Sequence, residues 1–323
     1  MIPTFQYTSN IPKDHPVVND LVERLLNLSP DAMEAARRFP MRVPVAFAKR
    51  IPWLQEGPLS REFLPSSEEL LDTPGYSSDP LDEKRAEVVP GLIGKYQGRV
   101  LLQVTTRCAI HCRYCFRRHR LDRKVPGKLR EWTPALAFIA GDSSIREVIF
   151  SGGDPLTLTD RRLSFLAQRV AAIPHVRRLR IHTRMPVVTP ERITPSLINW
   201  LNALPLTSIL VIHVNHADEL DASALAALGR LVEAGIPLLN QSVLLKGVND
   251  DPEVMVALCE ALVNAKVMPY YLHMLDPVAG SGHFHVAEEE ALVVMEVLRL
   301  RLPGYAVPRL VREVPGEGSK RVL

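Results

Sequence analysis

The sequence predicts an α/β protein: an incomplete (β/α)6 barrel with an N-terminal helical region and a short C-terminal tail. Three observations carry this. From residue 100 onward, short apolar runs alternate with amphipathic stretches, the rhythm of parallel βα units. Residues 1–95 lack that rhythm and read as helical and loop-rich. Hydrophobic residues make up 46% of 323 positions and charged residues 23%, enough apolar surface to fill one large core and too little charge for a disordered chain.

The elements follow in order. Residues 17–26 (VVNDLVERLL) carry apolar residues at helical spacing. Ser29-Pro30 supplies a cap and a first-turn proline for a second helix. Pro40, Pro44, Pro52, Pro58 and Pro65 then punctuate the chain, and residues 72–90 read as a polar surface connector. Strands are expected at 100–104, 147–153, 179–183, 208–215, 237–245 and 267–273, with a seventh at 306–311. Helical patterns fall between them at 133–140, 160–172, 195–203, 221–234, 252–265 and 286–301. The expected divisions are residues 1–95, a partial barrel over 96–303, and a strand and tail over 304–323. In such barrels, sites gather at the C-terminal ends of the strands.

Four cysteines are present, and three of them (Cys108, Cys112, Cys115) fall in CAIHCRYC, directly after the first strand. A secreted disulfide scaffold uses more and spreads them. Three thiolates on one loop suit a metal centre. Two readings stay open on spacing: an iron–sulfur cluster with one iron left free for a small ligand, or zinc with His111 or His119 as a fourth ligand. The second strand ends in Ser151-Gly152-Gly153-Asp154, where two glycines allow bare N–H groups to face a carboxylate. Arg117 and Arg118 follow the cysteines and suit an anionic group. Near the C-terminus, Lys320 follows PGEGS and suits a Schiff base with an aldehyde cofactor. Cys259, on an apolar helical stretch, reads as ordinary core. His182 and His213 read as core or lining, the Tyr270–Tyr271 pair as half core and half site, and Arg177, Arg178 and Arg180 as the charged start of a strand.

The CxxxCxxC spacing, with Tyr114 before its last cysteine, resembles the radical S-adenosylmethionine (radical SAM) superfamily. Together with SGGDPL, TRMPVVTPERIT, NQSVLLKGVND, PYYLH and PGEGSK, it resembles the lysine 2,3-aminomutase family over roughly residues 85–320. The resemblance implies a radical-SAM-type barrel and three cofactors: a [4Fe–4S] cluster on Cys108, Cys112 and Cys115, S-adenosylmethionine (SAM), and pyridoxal 5′-phosphate (PLP) on Lys320. It implies that Arg117 receives the substrate carboxylate, that Asp276 and Glu313 hold the distal ammonium, that Arg99 serves the PLP site, and that Ser151, Gly152, Gly153 and Asp154 fall to SAM. By position, Gln241 at a strand end reads as a SAM contact and His273, one strand end from Asp276, as a PLP contact. The implied reaction moves the nitrogen of L-lysine from the α to the β carbon after hydrogen abstraction at the β position. Glu313 replaces the aspartate of clostridial-type enzymes. The chain ends three residues after Lys320, and that short form resembles the branch making (R)-β-lysine for elongation factor P. The implied partners are L-lysine, an electron donor such as flavodoxin or ferredoxin, and a functional link to elongation factor P and its lysyl-transferring enzyme. Self-association is also allowed. The rival readings are an aminomutase for another amino acid, such as glutamate, a radical SAM enzyme without PLP, and a zinc-stabilised binding module.

A net charge of +3 gives no footprint for nucleic acid. The longest apolar run, from Leu204 to Val214, is far short of the ~20 residues that cross a bilayer. The first residues show no basic region followed by an apolar core, so the expected compartment is the cytoplasm.

Overall fold

A computed structural model describes residues 27–51 and 57–323. The helix expected over 17–26 and the proline at 52 lie outside the described residues. Ten strands form one sheet in chain order. These are β1 (Glu87–Val89), β2 (Leu92–Tyr96), β3 (Arg99–Thr105), β4 (Glu147–Gly152), β5 (Arg178–Thr183), β6 (Thr207–Ile212), β7 (Leu238–Val243), β8 (Met268–His273), β9 (Arg309–Arg312) and β10 (Arg321–Val322). Strands β3 to β9 pair in parallel with their neighbours. Helices complete the crossovers. In chain order they are α1 (Pro30–Arg38), α2 (Val45–Ala48), α3 (Pro58–Phe63), α4 (Thr133–Gly141), α5 (Asp160–Ala171), α6 (Met185–Val188), α7 (Pro195–Asn202), α8 (Ala222–Glu233), α9 (Pro252–Asn264) and α10 (Glu288–Arg301).

Each expected strand and crossover helix forms, with ends moved by at most three residues. Ser29 caps α1 by accepting from the Ala32 amide at 3.1 Å, with Pro30 in the first turn. Proline also opens α7 and α9, where Thr194 and Asp251 supply the caps. The difference lies at 87–96, which reads as connector and loop but folds as the β1–β2 hairpin, antiparallel to β3. A polar, proline-containing stretch hides this strand pair. Its apolar Leu92 and Ile93 are fully buried through tertiary contact rather than through a long alternating pattern.

Strand residues alternate between two faces. Val148 and Phe150, Leu179 and Ile181, and Leu210 and Ile212 are fully buried in the helix-packed core with Leu163, Leu197, Leu228, Leu258 and Leu298. The other parity, including Ile149, Arg180, His182, Val211, Gln241 and His273, lines an interior cavity of about 640 Å³. Among the described residues the sheet's end strands do not pair with each other. Ser77 pairs with Val278 at a single point, and Lys95 of β2 reaches Glu313, just beyond β9, at 2.7 Å. Among the described residues, no helix is long and apolar enough to cross a membrane.

Candidate active site

The cysteine loop leaves the C-terminal end of β3. Cys108, Cys112 and Cys115 are all partly exposed to the cavity. The loop is held from outside. Arg42 donates to the Cys108 carbonyl at 2.9 Å, and the Arg113 amide donates to the Glu62 carbonyl at 2.8 Å. Arg113 is itself fully buried and forks onto Glu69 at 2.8 and 2.6 Å. Burial pushes the Cys112 thiol up to about 11 and the Cys108 thiol well above its ordinary value. Such thiols are poor nucleophiles, and a bound cation is what would draw off their protons. His111 and His119 hydrogen-bond the carbonyls of Pro40 at 2.6 Å and Ala279 at 2.8 Å, and neither ring lines the cavity with the thiols. Among the described residues, no three His, Cys, Asp or Glu side chains converge on one point as a single zinc ion requires.

The turn after β4 packs hard against that loop. Gly152 has φ +122°, and a Cβ there would stand 2.2 Å from the Thr105 carbonyl oxygen. A Cβ on Gly153 would stand 2.3 Å from the Arg107 carbonyl oxygen. Only glycine permits this approach. The Asp154 carboxylate is occupied: it accepts from the Leu156 amide at 3.0 Å, the Thr183 hydroxyl at 2.7 Å and the Arg184 amide at 2.7 Å. It therefore ties β4 to β5 while lining the cavity. Ser151 is buried, and its hydroxyl lies 3.4 Å from Arg117 Nη1.

Arg117 points into the cavity and is already engaged. Nε and Nη2 donate to the buried Glu83 at 2.9 and 2.6 Å, and Nη1 donates to the Gly152 carbonyl at 3.0 Å. Burial works against the Glu83 carboxylate, yet Arg117, Lys95 and Arg120 together hold it below its ordinary value. Glu83 carries no sequence motif of its own, and it was not among the expected site residues.

Lys320 and Glu313 meet because the chain turns back from β9 into β10. Lys320 Nζ donates to Glu313, whose other oxygen accepts from Lys95 at 2.7 Å. Burial raises the Glu313 carboxyl, but the two ammonium groups win and hold it down to about 2. Asp276 also lines the cavity. Burial first, then the Glu313 charge, pushes it up to about 7. His273 is pushed down to about 3 by burial and the nearby Lys320. Tyr270 and Tyr271 stack at 3.8 Å, with Lys320 Nζ 6.0 Å from the Tyr271 ring centre.

Arg99, the first residue of β3, lines the cavity with its guanidinium 4.5 Å from the ring centre of Tyr96, whose side chain in turn hydrogen-bonds Glu313. Arg178 and Arg180 line the same cavity, so they are more than the charged start of a strand. His182 is half-buried, and burial pushes its imidazole well below the ordinary range; among the described residues its Nε2 has no hydrogen-bond partner. His213 is half-buried beside Tyr114, whose hydroxyl it meets at 2.7 Å. Gln241 lines the cavity from β7, and Cys259 is buried in the helix layer.

The donor set fits the groups that the sequence implied. Three thiols of raised pKa face the cavity beside a glycine cradle. Two lysine amines, an imidazole nitrogen without a partner among the described residues, and five arginines also line it.

The sequence model of the Radical SAM superfamily matches residues 102–259. The L-lysine 2,3-aminomutase of Escherichia coli (strain K12) is 45% identical over 318 residues, spanning 95% of this chain and 92% of that protein. That of Haemophilus influenzae is 43% identical over 305 residues, spanning 93% and 90%. That of Buchnera aphidicola subsp. Baizongia pistaciae is 39% identical over 307 residues, again spanning 93% and 90%.

Proposed function

The chain belongs to the lysine 2,3-aminomutase family of radical SAM enzymes, and from that premise we propose that it is an isomerase converting L-lysine to β-lysine by moving its α-amino group to the β carbon. The observation that supports this best is one cavity shared by Cys108, Cys112, Cys115, Arg117, Asp276, Glu313 and Lys320. A substrate with a carboxylate at one end and an ammonium at the other finds a cation and two acids there. That pairing argues against glutamate, whose distal group is anionic.

In this reading, Cys108, Cys112 and Cys115 hold a [4Fe–4S] cluster with one iron open to SAM, and Lys320 holds PLP. When bound, these groups supply a hydrogen-abstracting carbon radical and a carbonyl able to carry the migrating nitrogen. The chain's own residues do the rest. The turn at Ser151, Gly152 and Gly153 presents its backbone to the methionine part of SAM, although the Gly153 amide is spent on the Thr105 carbonyl at 2.6 Å, with Asp154 fixing the turn and Gln241 contacting SAM from β7. Arg99 takes an anionic group of PLP, and His273, kept neutral, packs beside Lys320. Glu313 stays ionised and holds the Lys320 ammonium by a charged hydrogen bond. Arg117 turns a remaining N–H towards the lysine carboxylate. Asp276 ionises and, with Glu313, grips the distal ammonium. Two fixed ends place the β-hydrogen at one point in the cavity.

The finer reading is that the product is (R)-β-lysine, made for modification of elongation factor P, with a flavodoxin or ferredoxin as electron donor. It is supported by a match to relatives of nearly this chain's own length, while Glu313 in place of aspartate leaves the stereochemistry to the experiment. The test is anaerobic incubation of reconstituted, reduced protein with SAM, PLP and L-lysine, followed by chiral separation. (R)-β-lysine is expected. No β-lysine, from protein that carries both cofactors and cleaves SAM, overturns the lysine assignment.

A further inference from the structure

Arg184, in the TRMPVVTPERIT segment, has no part in the reaction described above. It stands at the end of β5, and its guanidinium is buried against the cysteine loop. Nη1 donates to Cys112 Sγ at 2.8 Å and to the Tyr114 hydroxyl at 2.8 Å. Nη2 donates to Glu219 at 2.6 Å and Glu62 at 2.9 Å, and Nε donates to Glu219 at 3.2 Å. The guanidinium carbon lies 4.9 Å from the Phe63 ring centre. Asn215 donates to both Glu62 and the Tyr114 hydroxyl, at 3.0 and 2.7 Å. The group cannot swing away, because that would leave two carboxylates buried and unpaired.

We propose that Arg184 is a positioning residue for the iron–sulfur centre: its fixed N–H bond to Cys112 Sγ makes the cluster easier to reduce. The proposal rests on the assignment of Cys112 as a cluster ligand. Reduction adds one electron from an external one-electron donor of low potential, with no bond broken and no proton moved. The added negative charge spreads onto the ligand sulfurs. An N–H donor and a cation at one of those sulfurs favour the charged, reduced state. Glu62 and Glu219 offset the cation at longer range and aim it, so the hydrogen bond is the part that remains.

The test uses the full chain, reconstituted with iron and sulfide and kept free of SAM. The midpoint potential is read by electron paramagnetic resonance during titration with dithionite. In Arg184→Lys, which keeps the charge but cannot reach the thiol and both acids, the reduced-to-oxidised ratio at a fixed potential is expected to fall roughly tenfold, or about 59 mV. An unchanged midpoint in a loaded variant overturns the proposal. Should the variant fail to load, wild-type protein labelled with guanidino-15N arginine decides the matter. A 15N hyperfine coupling to the reduced cluster supports the bond, and its absence overturns the proposal. Wild-type protein that binds no iron and sulfide overturns the cluster reading itself, and this proposal with it.

Discussion

Arg184 and Lys320 both stand beside buried carboxylates on the wall of one cavity, yet their surroundings differ in a way that separates support from reaction. Arg184 is rigid and planar, and it meets a thiol, a hydroxyl and two acids contributed by three other parts of the chain. None of those bonds has to break for a ligand to enter. Lys320 is a flexible ammonium on a turn near the chain's end, with one acid partner that it shares with Lys95. Its side chain keeps 17% of its exposure, against 6% for that of Arg184. Loading a cofactor on Lys320 requires its bond to Glu313 to open, and Lys95 remains to keep Glu313 paired. Buried ion pairs alone do not identify a catalytic group. A pair whose acid keeps a second cation, as Glu313 keeps Lys95, leaves its other member free to react.

The comparison breaks first at Lys320. Lys320→Ala is expected to abolish lysine turnover and the visible absorbance of bound PLP, while iron and sulfide content stay at the wild-type level. Turnover within tenfold of wild type would return Lys320 to a structural role. The opposite pattern is expected at Arg184. Arg184→Ala strands Glu62 and Glu219 and lowers the unfolding free energy by about 3–5 kcal/mol, measured by denaturant titration of the apoprotein. A loss below about 1 kcal/mol would show that the network around Cys112 is not holding the loop.

Asp276 sharpens the contrast because, among the described residues, it has no basic hydrogen-bond partner of its own on the cavity wall. Asp276→Asn removes one charged hydrogen bond to the substrate ammonium, worth about 1.5–3 kcal/mol. The ratio kcat/KM for lysine should fall roughly 10- to 150-fold, with iron content unchanged. The pH dependence follows from the same burial. The Asp276 carboxyl is raised to about 7, so the stability it contributes is complete below the ordinary carboxyl range and is lost as pH rises through about 7. Substrate capture runs the other way: kcat/KM rises with pH up to about 7 and then levels. Glu313, held down to about 2, adds no limb in that range. The limb near 7 should vanish in Asp276→Asn, and its persistence would move the titrating group elsewhere.

The two networks also differ in how far the sequence reveals them. The strands, the crossover helices and the cysteine loop are local, and periodicity, caps and spacing expose them. Gly152 and Gly153 are visible as a motif, although their reason, carbonyl oxygens 2.2 and 2.3 Å from a hypothetical Cβ, is tertiary. Lys320, Asp276 and Glu313 could be placed through resemblance, since nothing local brings residues 95, 276, 313 and 320 together. Glu83, Glu62, Glu219 and Arg184 escaped because a buried acid reads like a surface acid until its arginine is known. One signal was present. Polar residues at alternate positions of otherwise apolar strands (Arg180 and His182, Asn240 and Ser242) mark where strands meet something other than hydrocarbon.

Cys259 tests the smallest difference, that between a thiol at the site and a thiol in the core. It is buried on α9 among Leu258, Leu262 and Met255, and burial pushes its thiol up to about 12. No polar partner is needed there, because a thiol behaves as a small apolar group. Cys259→Ala removes one sulfur from a packed layer and should cost about 1 kcal/mol of stability. Iron per chain and lysine turnover should match wild type. Cys112→Ala changes the same atoms within the cavity wall, and it should lose the cluster. A drop in iron content in Cys259→Ala would mean that the helix layer and the cysteine loop are coupled, and that reading the four cysteines as three ligands and one core residue is wrong.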